Sequence, residues 1–307
     1  VLVAAVGIYA IFLFTSDFNI ISEKISNFKI YYLPLILLLV SASWIPLIIR
    51  WNFLLKNCKI HIPFTKSILV YLSGSALQIT PGQIGELIKA QILKTGFNIP
   101  RTKTASVVLV EKVYDLIGAI VASIIGIIIL ELEIYLIILA VFILILIFFF
   151  IYYKPAFEFF LRRIIKMKFF SKYTENISES YEVIKKSTAP KVAIFSIFLS
   201  ITYWFIVSVA VYYTLLAFDV DVLNYLKVLS IFTTSTILGA ITFIPGGIGV
   251  TEGSIAGLFT LEGIHMSTAL ILSVMIRIVT LWYNVGIGFI ALKFSGGFSF
   301  KKDFPKE

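Results

Sequence analysis

Thiols, imidazoles and charge are scarce in this chain. One cysteine, Cys58, stands among 307 residues, which excludes an internal disulfide and a cysteine metal site. Cys58 itself reads as a small buried or interfacial residue. The two histidines, His61 and His265, lie far apart in a loop and at the end of an apolar stretch, so no metal site and no cofactor are expected. Charged residues make up only 14%, whereas 59% are hydrophobic and the mean hydropathy is +1.00. A soluble domain cannot hide that much apolar surface, so the chain reads as an all-α integral membrane protein with many spans. Acids are the rarer charge, 17 against 26 lysines and arginines. In a membrane protein that surplus points to cytoplasmic loops facing anionic lipid rather than to nucleic acid, and no nucleic-acid binding is expected.

Six apolar stretches are expected to span the bilayer fully: 1–15, 31–49, 104–130, 133–153, 191–217 and 266–292. Val1–Phe14 carries no cleavage signature and reads as a span rather than a signal peptide. Two further stretches, 67–94 and 227–262, are broken near their middles by TPGQIGE (80–86) and IPGGIGVTE (244–252).

Loop charge orients the spans. Residues 50–66 hold Arg50, Lys56, Lys59 and Lys66, residues 94–103 hold Lys94, Arg101 and Lys103, and the loop 154–190 is strongly basic, as is the C-terminal segment with Lys293, Lys301 and Lys302. These belong on the cytoplasmic side of a multi-pass cell-membrane protein. Asp17, Glu23, Glu131, Glu133, Asp219, Asp221 and Glu262 gather on the other side, with Lys24, Lys29 and Lys227 dissenting. The assignment holds only if 67–94 and 227–262 each return to the side they entered, as re-entrant helical hairpins. The order span, span, hairpin, span then occurs twice with opposite orientation. That is an inverted-topology repeat of about 1–130 and 133–295 within one membrane domain, 1–307, the basic loop lying inside the second unit. Within that loop, residues 156–186 mix aromatic and basic side chains in the manner of an amphipathic helix on an anionic leaflet.

A hairpin tip inside a bilayer frees backbone groups that only protein or a wet cavity can satisfy. Pro81 and Pro245 stop one half-helix, and Gly82, Gly85, Gly246, Gly247 and Gly249 permit the turn. Each following half-helix aims its N-terminal N–H groups at the protein centre, which favours an anion such as a lipid phosphate. Ionisable residues inside spans are costly and mark function or pairing. Glu86 and Glu252 follow the tips and read either as acids completing a helix dipole or as carboxylates that bind a cationic headgroup or carry a proton. Glu111 and Asp115 share a helix face; Lys112 and, from the equivalent span, Arg277 are their expected partners in an ion-pair network. Arg277 and Lys112 also suit phosphate. Arg50-Trp51 reads as an interface anchor.

With these residues in place, the chain resembles the transmembrane region of the lysylphosphatidylglycerol synthase family, a flippase-like domain. The resemblance rests on Pro81, Gly85, Glu86 and Lys89, on Glu111, Lys112 and Asp115, and on Pro245, Gly246, Gly247, Gly249, Glu252 and Arg277. Lys112 stands where the family usually has arginine, and the stretch after Lys293 reads as a short basic tail rather than as a soluble aminoacyl-transferase domain. The resemblance implies a lipid translocase, not an enzyme, acting on an anionic phospholipid or polyprenyl-phosphate lipid. Its substrate-binding residues would be Pro81, Gly82, Gly85, Glu86, Lys112, Pro245, Gly246, Gly247, Gly249, Glu252 and Arg277. The rival readings are a secondary transporter or channel for a small anion, and a non-catalytic partner of a separate lipid-modifying enzyme; self-association is compatible with each.

Overall fold

The computed structural model describes residues 26–129 and 177–295, with isolated positions elsewhere. The expected spans at 1–15 and 133–153, and most of the basic loop 154–190, lie outside the described residues. The described residues form helices α1 (Leu33–Asn57), α2 (Phe64–Ser75), α3 (Ile88–Phe97), α4 (Arg101–Ile129), α5 (Ile177–Ser187), α6 (Pro190–Ala217), α7 (Tyr225–Ile241), α8 (Val250–Leu261), α9 (Met266–Arg277) and α10 (Tyr283–Phe294). There is no strand among them.

Three continuous helical stretches, Ile30–Asn57, Pro190–Ala217 and Met266–Phe294, are long and apolar enough to cross a membrane. At 1.5 Å per residue each exceeds the hydrocarbon core of about 30 Å. They match three of the expected spans, and the 29-residue α4 covers a fourth. The chain is an all-α membrane protein. Proline sits in the first turn of α1 and α6, where its missing N–H costs nothing. Asn224 caps α7 by accepting the Lys227 N–H at 2.9 Å. One boundary moves: α1 does not end near residue 49 but runs on to Asn57, because Trp51, Leu54 and Leu55 continue its buried face.

Both Pro-Gly runs do break their helices. In the first, α2 gives way to a short 3-10 segment, Pro81–Leu87, before α3 begins. In the second, a 3-10 turn, Pro245–Gly247, separates α7 from α8. The two breaks share a backbone pattern: after the proline come two left-handed residues, Gly82 (φ +58°) and Gln83 (φ +56°) in one, Gly246 (φ +63°) and Gly247 (φ +65°) in the other. Left-handed backbone reverses the chain and is ordinarily left to glycine, so Gln83 is the departure.

The breaks touch one another at the centre of the bundle, α1 packs on α6, α2 packs on α10 and α7 packs on α4. Exchanging α1 with α6, α2 with α7 and α4 with α9–α10 leaves that pattern unchanged. Each broken pair therefore leans on the last helix of the other half. Gly288 sets one of these contacts: a Cβ there would lie 2.2 Å from the Ala76 amide nitrogen. Gly288→Val is expected to push α10 off α2 and to lower the apparent melting temperature in detergent, because backbone cannot yield as a side chain can. A variant melting with the wild type would contradict this packing.

Two of the three lysines that dissented from the charge rule are neutralised locally. Lys29 is ion-paired with Asp219, and Lys227 lies 2.7 Å from Glu262.

Candidate functional site

A cavity of about 420 Å³ lies where the two breaks meet, within the usual range for a small-ligand site. Its wall takes Trp44 and Arg50 from α1, Lys112 and Asp115 from α4, Tyr203 and Trp204 from α6, and Arg277, Thr280 and Asn284 from the last helical stretch. Of the expected substrate-binding residues, Gly82, Glu86, Lys112, Gly246, Gly247 and Arg277 line it, as do Glu111 and Asp115. Pro81, Gly85, Pro245, Gly249 and Glu252 do not line it; they shape or support the wall from behind. Gly85 has a packing reason, since a Cβ would fall 2.5 Å from Leu77 Cβ. Its N–H is spent on the Thr80 hydroxyl at 2.7 Å.

The charges fall into two sets. In the first, Lys112 Nζ donates to Gln83 Oε1 at 2.8 Å and to Glu86 Oε1 at 2.5 Å, and lies 3.5 Å from Asp115 Oδ2. Lys89 Nζ, 1% exposed, bridges Glu111 Oε2 at 2.8 Å and Glu86 Oε2 at 3.1 Å. It also lies 5.0 Å from each of the Trp51 and Tyr71 ring centroids, close enough for cation–π attraction. Arg50 donates to Ser200 Oγ at 2.5 Å and to Asp115 Oδ1 at 2.7 Å, and reaches to 3.9 Å of Glu111 Oε1. In the second set, Arg277 Nε donates to Glu252 Oε1 at 2.8 Å and its Nη2 to the Gly246 carbonyl. Glu252 Oε2 accepts the Gly249 N–H at 2.7 Å, capping α8.

Two expectations are corrected by this geometry. Arg50 is no interface anchor: it is fully buried and bound to Asp115 and Ser200. Arg277 is not the partner of Glu111 and Asp115; Arg50 and Lys89 fill that role, and Arg277 instead spans from α9 to the start of α8. The reason is topological. Helices α8 and α9 are a tight antiparallel pair of twelve residues each, so the last residue of one faces the first turn of the other. The dipole reading applies to Glu252, in the first turn of α8, but Glu86 precedes α3 and is held by Lys112 and Lys89.

Sequence reasoning gave Gln83, Ser200 and Thr280 no part in the site. It also passed over a local irregularity, the π-helical turn Ile278–Trp282 that directly follows Arg277. Such turns recur at functional sites because they disturb the regular backbone ladder. Here the Leu281 carbonyl is met by Gln78 Nε2 at 3.3 Å, and Thr280 and Leu281 are presented to the cavity.

Known proteins with related sequences fit this architecture. A UPF0104 membrane protein of Pyrococcus horikoshii is 24% identical over 84% of this chain and 85% of its own length. Two UPF0104 membrane proteins of Methanothermobacter thermautotrophicus match over shorter stretches, 26% identical over 34% of the chain and 30% identical over 30%; the matches cover 31% and 27% of those relatives. No solved structure matches the chain. Residues 2–288 match the family described as the lysylphosphatidylglycerol synthase TM region, and the chain belongs to that family.

Proposed function

We propose that the protein is a lipid translocase whose cavity receives a phosphate-bearing headgroup while the acyl or prenyl tails stay in the bilayer. The observation that carries this reading is a cavity holding Arg277 and Lys112 beside an apolar exposed rim. Phe243 and Ile244 both line the cavity and are 69% and 40% exposed, and neighbouring Ile241 is 60% exposed. A headgroup can sit among the charges while its tails leave over that rim. Arg277 suits a phosphate because its planar fork keeps its charge in an apolar setting.

The two broken pairs are read as re-entrant hairpins that meet at mid-bilayer, with the basic loops and C-terminal segment cytoplasmic. The exchange-symmetric packing of the two halves supports an inverted repeat, the design from which many carriers build a midplane site. We read the chain as a carrier rather than a catalyst, since each carboxylate of the site is occupied by a cation or a cap. A bound anion therefore competes with Glu252 for Arg277 and with Glu86 for Lys112.

Native mass spectrometry of protein purified gently from its own membrane tests the reading. A defined phospholipid or polyprenyl-phosphate species is expected on the wild type and lost in Arg277→Ala. Equal bulk lipid on both would make Arg277 structural and favour a small-solute carrier.

A further inference from the structure

We propose that the headgroup bears a ring of hydroxyls beyond its phosphate, a sugar or a cyclitol, and that Gln78, Gln83, Asn284 and Trp44 recognise it. This rests on the reading of Arg277 as the phosphate-holding residue and adds what the rest of the cavity selects.

The cavity is larger than a phosphate needs, and three side-chain amides line it: Gln78 just after α2, Gln83 in the first break and Asn284 in α10. Each is bound to protein at one end. Asn284 Oδ1 accepts the Trp44 Nε1–H at 3.0 Å, Gln83 Oε1 accepts from Lys112 Nζ at 2.8 Å, and Gln78 Nε2 donates to the Leu281 carbonyl at 3.3 Å. A bond at one end fixes which way an amide faces. The cavity is thus offered the NH2 groups of Asn284 and Gln83 and the side-chain carbonyl of Gln78. Gln83 also keeps its place on left-handed backbone, φ +56°, where the second break has Gly247. Strain of that kind gathers where a side chain clamps a ligand.

Donors and an acceptor, all uncharged, suit hydroxyls, because a hydroxyl both gives and accepts a hydrogen bond. An ammonium group only donates. It would meet two NH2 groups and one carbonyl, while the nearby Asp115 and Glu86 are already held by Arg50 at 2.7 Å and by Lys112 at 2.5 Å. Trp44 supplies a platform. One face of its ring stacks on Tyr283, with centroids 5.6 Å apart, and its N–H is spent on Asn284. What Trp44 gives the cavity is therefore apolar ring, fixed by both contacts. The C–H groups of a sugar pack on such a surface while its hydroxyls reach the amides, the usual division of labour in a pocket of mostly apolar wall and a few placed polar groups.

Calorimetry of the full chain tests this in a polyoxyethylene detergent, because a maltoside would itself bring sugar. Dihexanoylphosphatidylinositol and citronellyl phosphoglucose carry the ring on acyl and prenyl tails. Dihexanoylphosphatidylmethanol and citronellyl methyl phosphate carry the same charge and tails without it. At least one ring-bearing probe is expected to bind about tenfold more tightly than its methyl counterpart, the gain a few hydrogen bonds supply, and that probe names the tail. Asn284→Leu and Gln83→Ala are each expected to cut this ratio about threefold, Gln83→Ala while melting close to the wild type. Arg277→Ala is expected to weaken both members of the pair. Equal binding of ring-bearing and methyl probes, weakened by Arg277→Ala, overturns this inference and leaves the phosphate site standing. Tighter binding of dihexanoylphosphatidylethanolamine than of the inositol lipid overturns it in favour of a cationic headgroup. A ratio that survives both amide variants overturns the assignment to these residues. No binding of any probe, or binding that Arg277→Ala leaves unchanged, overturns both readings.

Discussion

Arg50→Met is expected to destabilise the protein by about 3–5 kcal/mol, the usual cost of stranding a buried charge. The arginine is fully buried, and its guanidinium contacts Asp115 at 2.7 Å and approaches Glu111 to 3.9 Å. Removing it leaves those two carboxylates, on one face of α4, with Lys89 and Lys112 alone to serve them and Glu86. Four residues apart on a helix, they would repel each other with less screening than water gives. The variant is expected to lose its main melting transition in detergent or to elute as aggregate. Arg50→Met combined with Asp115→Asn is expected to recover part of the loss, since the double variant no longer buries the unmatched charge. A single variant that melts with the wild type would return Arg50 to the lipid interface.

Gly247→Ala is the second large effect. Gly247 has φ +65°, and a Cβ there would lie 2.6 Å from Thr251 Oγ1 and 3.2 Å from Gly239 Cα. Left-handed backbone costs an L-residue about 1–2 kcal/mol, and overpacking a tight contact about 1–3 more. Thr251 is buried and Gly239 belongs to α7, so neither can yield without moving the α7–α8 pair. Lower yield and a lower melting temperature are expected, with partial recovery on adding Thr251→Ala. At the matching position of the first break, Gln83→Ala is expected to be mild, since the wild-type residue already bears the left-handed backbone and is exposed. Equal losses at both positions would show that the breaks are not held by the same local geometry.

Much of this was legible because it is local. Proline fixes its own φ, glycine permits a positive one, and the breaks stand where those residues are. Glu111, Lys112 and Asp115 could be placed on one helix by spacing alone. The partners could not. Arg50 and Asp115 are 65 residues apart, and only the packing of α1 beside α4 and α6 brings them together. A sequence signal did exist, in that Trp51 to Leu55 carry the apolar pattern past Arg50 and so leave the arginine inside a helix rather than after one. For Arg277, two twelve-residue helices joined by a short turn already imply that the end of one meets the start of the other. That favoured Glu252 over Glu111. The left-handed Gln83 and the π-helical turn left no comparable trace, since neither depends on a residue type that demands it.

The crossed support between the halves bears on how the chain is made. Gly82 is approached by the Phe243 ring, and the segment just before the first break is closed by Gln78 reaching the Leu281 carbonyl. Both contacts reach residues made long after the first break: a ribosome that has delivered residues 80–86 has some 200 residues still to translate before Leu281 is in place. On the re-entrant reading proposed above, the first break is expected to enter the bilayer only once the second has been made, as a late step of biogenesis, since bare backbone groups do not persist in hydrocarbon.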